Sequence, residues 1–300
     1  MTTIHGTSAP VSAPLLSARA LLVRGLVAGL VAGLLAFAVG FLVGEPAIDD
    51  AIALEESASA APAASSETAD HSHADGTATH SHDESTGEEA GGHSHGDEEE
   101  GGISRATQKG WGLLTATVVV GTALGGLVAL VAAGVMGRLG RAGRRIRPTE
   151  SVAFVALAGF VAVALVPFLK YPAAPPAVGS GDTIGSRTGL YFAFLLVSVV
   201  AAVAATYLGQ RLWATAGAYA GVVGGVLAYV VVVGTAAALM PAVNELGDFP
   251  ADVLWSFRLG SALTLTAMWA GIGVVLAGLV GRLHAQQAAT QARRDLAASL

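Results

Sequence analysis

Six stretches of almost unbroken apolar sequence punctuate the chain, over residues 21–43, 111–136, 152–169, 190–208, 212–240 and 259–283. Little but Gly, Ser and Thr interrupts them. A helix rises about 1.5 Å per residue, so roughly 20 apolar residues cross the roughly 30 Å of bilayer hydrocarbon. Each stretch is therefore long enough to span a membrane. Between about residues 57 and 102 the pattern collapses into Ala, Ser, Gly, Glu, Asp and His, with no aromatic and almost no branched apolar residue. Such a segment cannot bury enough apolar surface to order itself. The pattern predicts an all-α integral membrane protein, a bundle of about six transmembrane helices with a disordered His/Asp/Glu-rich extracytoplasmic loop.

Composition agrees with the pattern. With 53% hydrophobic and 13% charged residues, the chain is too apolar for an ordinary soluble domain, where charged residues approach a quarter. Charge is also segregated, because 16 of the 22 acidic residues fall between Glu45 and Glu100. Basic residues orient the spans, being enriched in short cytoplasmic connections. Arg19 and Arg24, the run Arg138, Arg141, Arg144, Arg145 and Arg147, then Arg211, and finally Arg282, Arg293 and Arg294 all fall on one side. The acidic segment, the Pro-rich loop after Lys170 and the loop holding Glu245 fall on the other. Both termini are then cytoplasmic. The expected organisation is a cytoplasmic tail over 1–20, the first helix over 21–43 and the acidic loop over 44–110. A five-helix membrane region over 111–283 and a cytoplasmic tail over 284–300 follow. The first apolar run exceeds the 7 to 15 residues of a signal peptide, which favours a retained helix.

Small residues recur at four-residue spacing in Gly25, Gly29 and Gly33, in Gly121 and Gly125, and in Gly217, Gly221 and Gly225. Such faces let helix backbones approach closely. Packing inside the bundle is the expected use, with contacts in a homo-oligomer as the alternative.

The loop carries the most specific chemistry. It holds three His-x-His pairs: His71 with His73, His80 with His82, and His93 with His95. Residues i and i+2 project to the same side of an extended backbone, so each pair can offer two imidazoles to one ion. Neutral imidazole suits zinc, copper, nickel and iron, and Asp70, Asp75, Asp83, Glu84 and Asp97 add oxygen ligands. With no cysteine, thiolate sites and iron–sulfur clusters are excluded. A flexible nitrogen site follows the general affinity series and does not select one metal.

The spans themselves contain almost no ionisable group. Thr115, Thr117, Thr122, Thr235, Thr264 and Thr266 are expected to bond to their own helix backbone. Charge gathers instead at the outer ends. Glu45, closing the first span, and Asp49 share a helical face, while Asp182 and Arg187 stand in the second outer loop. Asn244, Glu245, Asp248, Asp252 and Arg258 belong to the third. Glu45, Asp49, Asp182, Asn244, Glu245 and Asp248 are candidates for one acidic mouth for a cation. No phosphate-cradling loop, H-E-x-x-H or G-x-S-x-G is present, so enzyme activity is not expected. The one basic cluster, Arg138 to Arg147, is what orientation already requires, and no nucleic-acid partner is expected.

The stretches Arg24-Gly25-Leu26-Val27-Ala28-Gly29, Gly44-Glu45-Pro46-Ala47-Ile48-Asp49 and Lys170-Tyr171-Pro172-Ala173-Ala174-Pro175-Pro176-Ala177-Val178-Gly179 form a pattern. Asp182-Thr183-Ile184-Gly185, Arg187-Thr188, Met240-Pro241-Ala242-Val243-Asn244-Glu245 and Phe249-Pro250-Ala251-Asp252-Val253-Leu254-Trp255 extend it. In these motifs, and over nearly its whole length, the chain resembles the CbtA family of predicted cobalt transporter subunits of bacteria and archaea. The resemblance implies cobalt uptake serving cobalamin synthesis, with a small single-span CbtB partner. It implies no resident cofactor and supplies no ligand set; the metal, most readily cobalt, is the substrate. A non-transporting subunit that binds and delivers metal, or a transporter of nickel or zinc, are the alternatives.

Overall fold

The computed structural model describes residues 17–60, 104–136, 140–141, 144–145 and 147–300. The candidate loop ligands His71, His73, His80, His82, His93 and His95 lie outside the described residues, and so do the acidic residues from Glu67 to Glu100. Six helices are long and apolar enough to cross a membrane. They are α1 (Ala18–Ser57), α2 (Arg105–Val135), α3 (Pro148–Lys170), α4 (Gly181–Ala216), α5 (Ala218–Leu239) and α6 (Ala251–Ala298). In hydrocarbon every backbone N–H and C=O must be satisfied within the segment, which is why the apolar runs become helices. The chain is a multi-pass membrane protein.

Local chemistry sets the starts. Ser17 Oγ accepts from the Ala20 N–H at the head of α1, and Ser104 Oγ accepts from the Thr107 N–H at the head of α2. At α3, Pro148 occupies the first turn and Glu150 Oε2 accepts from the Arg147 N–H at 3.1 Å. Before α3, a two-residue antiparallel ladder pairs β1 (Gly140–Arg141) with β2 (Arg144–Arg145).

Several helix ends differ from the sequence expectation. Glu45-Pro46 reads as the close of the first apolar span with a short helical continuation, and the helix runs on as far as Ala60. A π turn over Gly40–Gly44 precedes the proline, and the Glu45 N–H bonds to the Gly40 carbonyl, five residues back. Proline lacks an N–H and its ring crowds the carbonyl four residues earlier. A turn widened by one residue relieves that crowding. The same device recurs in α3, where the π turn Phe160–Leu165 precedes Pro167, and a third π turn, Gln108–Gly112, lies near the start of α2. The fifth span does not begin at Leu212. That residue still belongs to α4, and the reversal falls at Gly217, whose φ of 93° suits glycine and strains other residues. At the other end of the chain, helix continues through residues 284–298.

The core is formed by α1, α2, α3 and α6, and includes Leu21, Ala28, Ala32, Val128, Ala132, Val152, Ile272 and Leu276. The four-residue glycine spacing produces the closest contact, an antiparallel crossing of α1 on α2. A Cβ on Gly29 would stand 2.1 Å from the Gly121 carbonyl oxygen, and one on Gly25 would stand 2.4 Å from that of Gly125. The expected packing role therefore holds for these glycines. It holds also for Gly221 and Gly225, which lie against Gly209 and Ala205 of α4. Gly217 is the exception, being the turn. Helix α5 packs chiefly on α4, and inside the hairpin the buried Ser198 hydroxyl meets Tyr229 Oη at 2.8 Å.

Candidate functional site

The end of α1, the start of α2, the end of α3, the start of α4, the segment after α5 and the start of α6 converge around one cavity of about 830 Å³. Its ionisable lining consists of Glu45, Lys170, Arg187, Glu245 and Arg258, with two tyrosines, Tyr171 and Tyr191. Gly40 and Gly44 of the π turn also line it, and so does Thr264. Gly260 lets α6 approach that turn, since a Cβ there would lie 2.9 Å from Gly44 Cα.

Glu45 is buried, at 4% exposure. It accepts from Arg105 Nη2 at 2.5 Å, and the same nitrogen donates to Asp49 Oδ1 at 2.9 Å. Lys109 Nζ donates to Asp49 Oδ2 at 2.5 Å. Two carboxylates four residues apart on α1 thus meet two cations four residues apart at the head of α2. The Lys109 hydrogen bond holds the Asp49 carboxyl below the ordinary carboxylate value; partial burial opposes it, and Arg105 adds to the lowering. Because Arg105 and Lys109 follow directly on the segment 61–103, these pairs join the described residues at its two ends.

Glu245 is the second carboxylate of the cavity. Its Oε2 accepts from the Ser180 N–H at 3.2 Å and from Thr183 Oγ1 at 2.9 Å, and Arg187 Nε lies 3.5 Å away. The Arg187 guanidinium lies against Gly179, where a Cβ would come within 2.3 Å of Nη1, and Nη2 donates to the Ser180 carbonyl. Lys170 Nζ donates to the carbonyls of Ala237 and Met240 at 2.8 and 3.1 Å. It thereby caps the C-terminal end of α5, where carbonyls are otherwise unpaired. Tyr171 Oη donates to the Pro241 carbonyl at 2.8 Å. These bonds fasten the end of α5 to the end of α3.

The structure brings two of the six candidate mouth residues, Glu45 and Glu245, to one cavity. Asp49 stands one turn beyond Glu45 on the shared Arg105. Asp182, Asn244 and Asp248, the other candidates for that mouth, are exposed and are not among the residues lining the cavity. Their loops turn these side chains to the surface, while Glu245 alone is drawn inward by Ser180 and Thr183. Among the described residues, no three His, Asp or Glu side chains gather in a group that could hold a metal ion. The six loop histidines, His71, His73, His80, His82, His93 and His95, fall outside the described residues, so their pairing on an ion stays an expectation from sequence. Thr117, Thr264 and Thr266 bond to carbonyls of their own helices, as expected. Both carboxylates of the cavity are engaged by guanidinium groups, so the site is a set of charge pairs rather than a bare acidic ring.

A family model described as a probable cobalt transporter subunit, CbtA, matches residues 18–281. The chain belongs to the CbtA family. No curated protein and no solved structure matches it. The match takes in the first five helices, α6 as far as Gly281 and every residue of the cavity.

Sequence reasoning passed over Arg105 and Lys109, which complete the Glu45 end of this CbtA bundle. The signal was present: an i, i+4 pair of cations opens the second span just as an i, i+4 pair of carboxylates follows the first. What hid it was the separation of 56 positions between Asp49 and Arg105.

Proposed function

We propose that this chain is the membrane subunit of an importer for a divalent metal, cobalt foremost, serving cobalamin synthesis. The observation that carries the reading is the cavity itself, where five helix ends and the segment after α5 converge on Glu45 and Glu245 in a chain of the CbtA family. The excess of Arg in the connections on one side favours cytoplasmic termini, and in that orientation the cavity opens outward. The pairs His71 with His73, His80 with His82 and His93 with His95, attached by the ends joined through Arg105 and Lys109, raise the local metal concentration beside it. At a millimolar effective concentration for a short tether, even weak imidazole sites enrich the ion near the entrance. A small single-span CbtB-like protein is the expected partner, consistent with the description of the family as a subunit.

One observation favours a second reading. No metal-binding group of His, Asp or Glu forms among the described residues of the bundle, and ion pathways usually place such groups inside the spans. A subunit that binds metal and hands it to a partner channel needs none.

Radiolabelled cobalt uptake in a host without other cobalt importers decides between them. The arms are the intact chain, the chain lacking residues 66–101, and Glu45→Ala combined with Glu245→Ala, each with and without the partner. Uptake that survives loop deletion with a several-fold higher KM but is lost in the double substitution identifies a permease with an external antenna. Absence of uptake by the inserted intact chain alone, restored by the partner, identifies the delivery subunit.

A further inference from the structure

The charges of the cavity do not cancel. Glu45 is taken by Arg105 and Glu245 by Arg187, while Lys170 is spent on the carbonyls of Ala237 and Met240. Three cations and two carboxylates line the space. Arg258 takes part in none of the ion pairs formed among the described residues. Its Nε is buried without a hydrogen-bond partner, whereas the Nε of Arg187 on the same lining faces Glu245 at 3.5 Å. A buried guanidinium N–H left unpaired is costly, and a planar fork of such donors matches an oxyanion. The volume points the same way. A divalent ion with six waters occupies roughly 200 Å³ at about 30 Å³ per water, whereas about 830 Å³ lies within the range of pockets that hold small organic molecules.

We propose that the cavity receives its metal as a complex with a small carboxylate ligand, the carboxylate seated on Arg258 with Arg187 beside it. Cobalt(II) bound to triply ionised citrate has one net negative charge, which matches the surplus positive charge of the lining. A bare dication would meet a lining of its own sign. The metal half of the proposal rests on the importer reading above. The oxyanion half does not.

The test uses the full chain in phosphatidylcholine nanodiscs, with radiolabelled citrate added alone, with equimolar cobalt, or against inorganic phosphate. Saturable binding of cobalt–citrate is expected, at least tenfold weaker in Arg258→Gln and partly recovered in Arg258→Lys, both at unchanged melting temperature. Equal citrate binding by wild type and Arg258→Gln, or none by wild type, overturns the proposal. So does Arg258-dependent binding seen only for phosphatidylglycerol, which would make the site a lipid headgroup seat. Should the glutamine variant fail to fold, phenylglyoxal modification of Arg258 in the wild-type chain reads the same question. Cobalt–citrate must slow that modification several-fold, and failure to protect overturns the site. These readouts need no transport. Citrate binding without uptake removes the permease reading alone, and uptake of aqueous cobalt without citrate binding removes the oxyanion site alone.

Discussion

Arg105 joins carboxylates from two turns of α1, and the burial of Glu45 makes that contact sensitive to loss of either partner. Removing one member of a buried pair leaves an uncompensated charge, whereas removing both does not. A double-mutant cycle of Glu45→Gln and Arg105→Gln is expected to give a coupling of about 1–3 kcal/mol, read from denaturant unfolding in micelles; a coupling near zero would contradict the contact. Asp49 adds a pH dependence. Its carboxyl is held below the ordinary carboxylate value, principally by Lys109, so the folded state favours the ionised form. A depressed value contributes stability that is complete above the unfolded pKa and is lost as pH falls through the lowered folded one. The Asp49–Lys109 coupling should therefore be constant from neutrality to about pH 5 and fade in stronger acid. Measuring an Asp49→Asn and Lys109→Met cycle at several pH values checks the sign, and a coupling that grew on acidification would refute it.

At the scale of elements, the π turns decide where charges point. One extra residue per turn rotates everything that follows by about 100°. Deleting Leu42 should return Gly40–Gly44 to ordinary helix with Glu45 and Asp49 still on Arg105, because the residue lost and the widening lost cancel, whereas one alanine inserted after Val39 should swing both off Arg105. Because the chain has no cysteine, paired spin labels placed beside Asp49 and Arg105 would report the change as a lengthened and broadened distance distribution. The α1–α2 crossing is equally exacting. Gly29 faces the Gly121 carbonyl with no room for a Cβ, so Gly29→Val should destabilise by about 3 kcal/mol or more, seen as a lower unfolding midpoint. A similar change at Gly278 of α6, where a Cβ would meet open space, should be far milder. Lys170 acts at a third junction. Lys170→Met removes the cap on the α5 carbonyls, and faster amide exchange is expected at the end of α5 and in the following segment, with the α1–α2 crossing unchanged.

For the whole molecule, the arrangement divides into a four-helix core and the α4–α5 hairpin, with the cavity where they meet. Alternating spans put Arg24 and Arg211 at one end and Glu45, Lys170 and Glu245 at the other. In the proposed orientation, with cytoplasmic termini, single cysteines introduced at Asp248 and Asp182 should react with an impermeant maleimide from outside intact cells, and one at Arg293 only after permeabilisation. The reverse pattern would invert the importer reading, because the cavity would then face the cytoplasm.

The helix count was legible because a bilayer demands about twenty apolar residues per span and internal satisfaction of the backbone, and both demands are written locally. The glycine faces were legible for the same reason, since four-residue spacing defines a helix face without knowledge of its partner. Glu45 and Glu245 were recognisable as charges at helix ends on one side of the membrane. Their partners were not. Arg105 reaches Glu45 and Asp49 across a long segment, Arg187 turns onto Glu245 through a backbone bent at Gly179, and Lys170 finds carbonyls of a helix far along the chain. The apolar run marked the close of the first span at Glu45-Pro46, and a π turn ahead of the proline carries the helix on past it. Local periodicity thus determined the spans and their faces, while only the tertiary structure decided which opposite charges pair and left Arg258 of the cavity outside the ion pairs formed among the described residues. Charge pairing depends on distances across the folded bundle that no spacing along the chain contains.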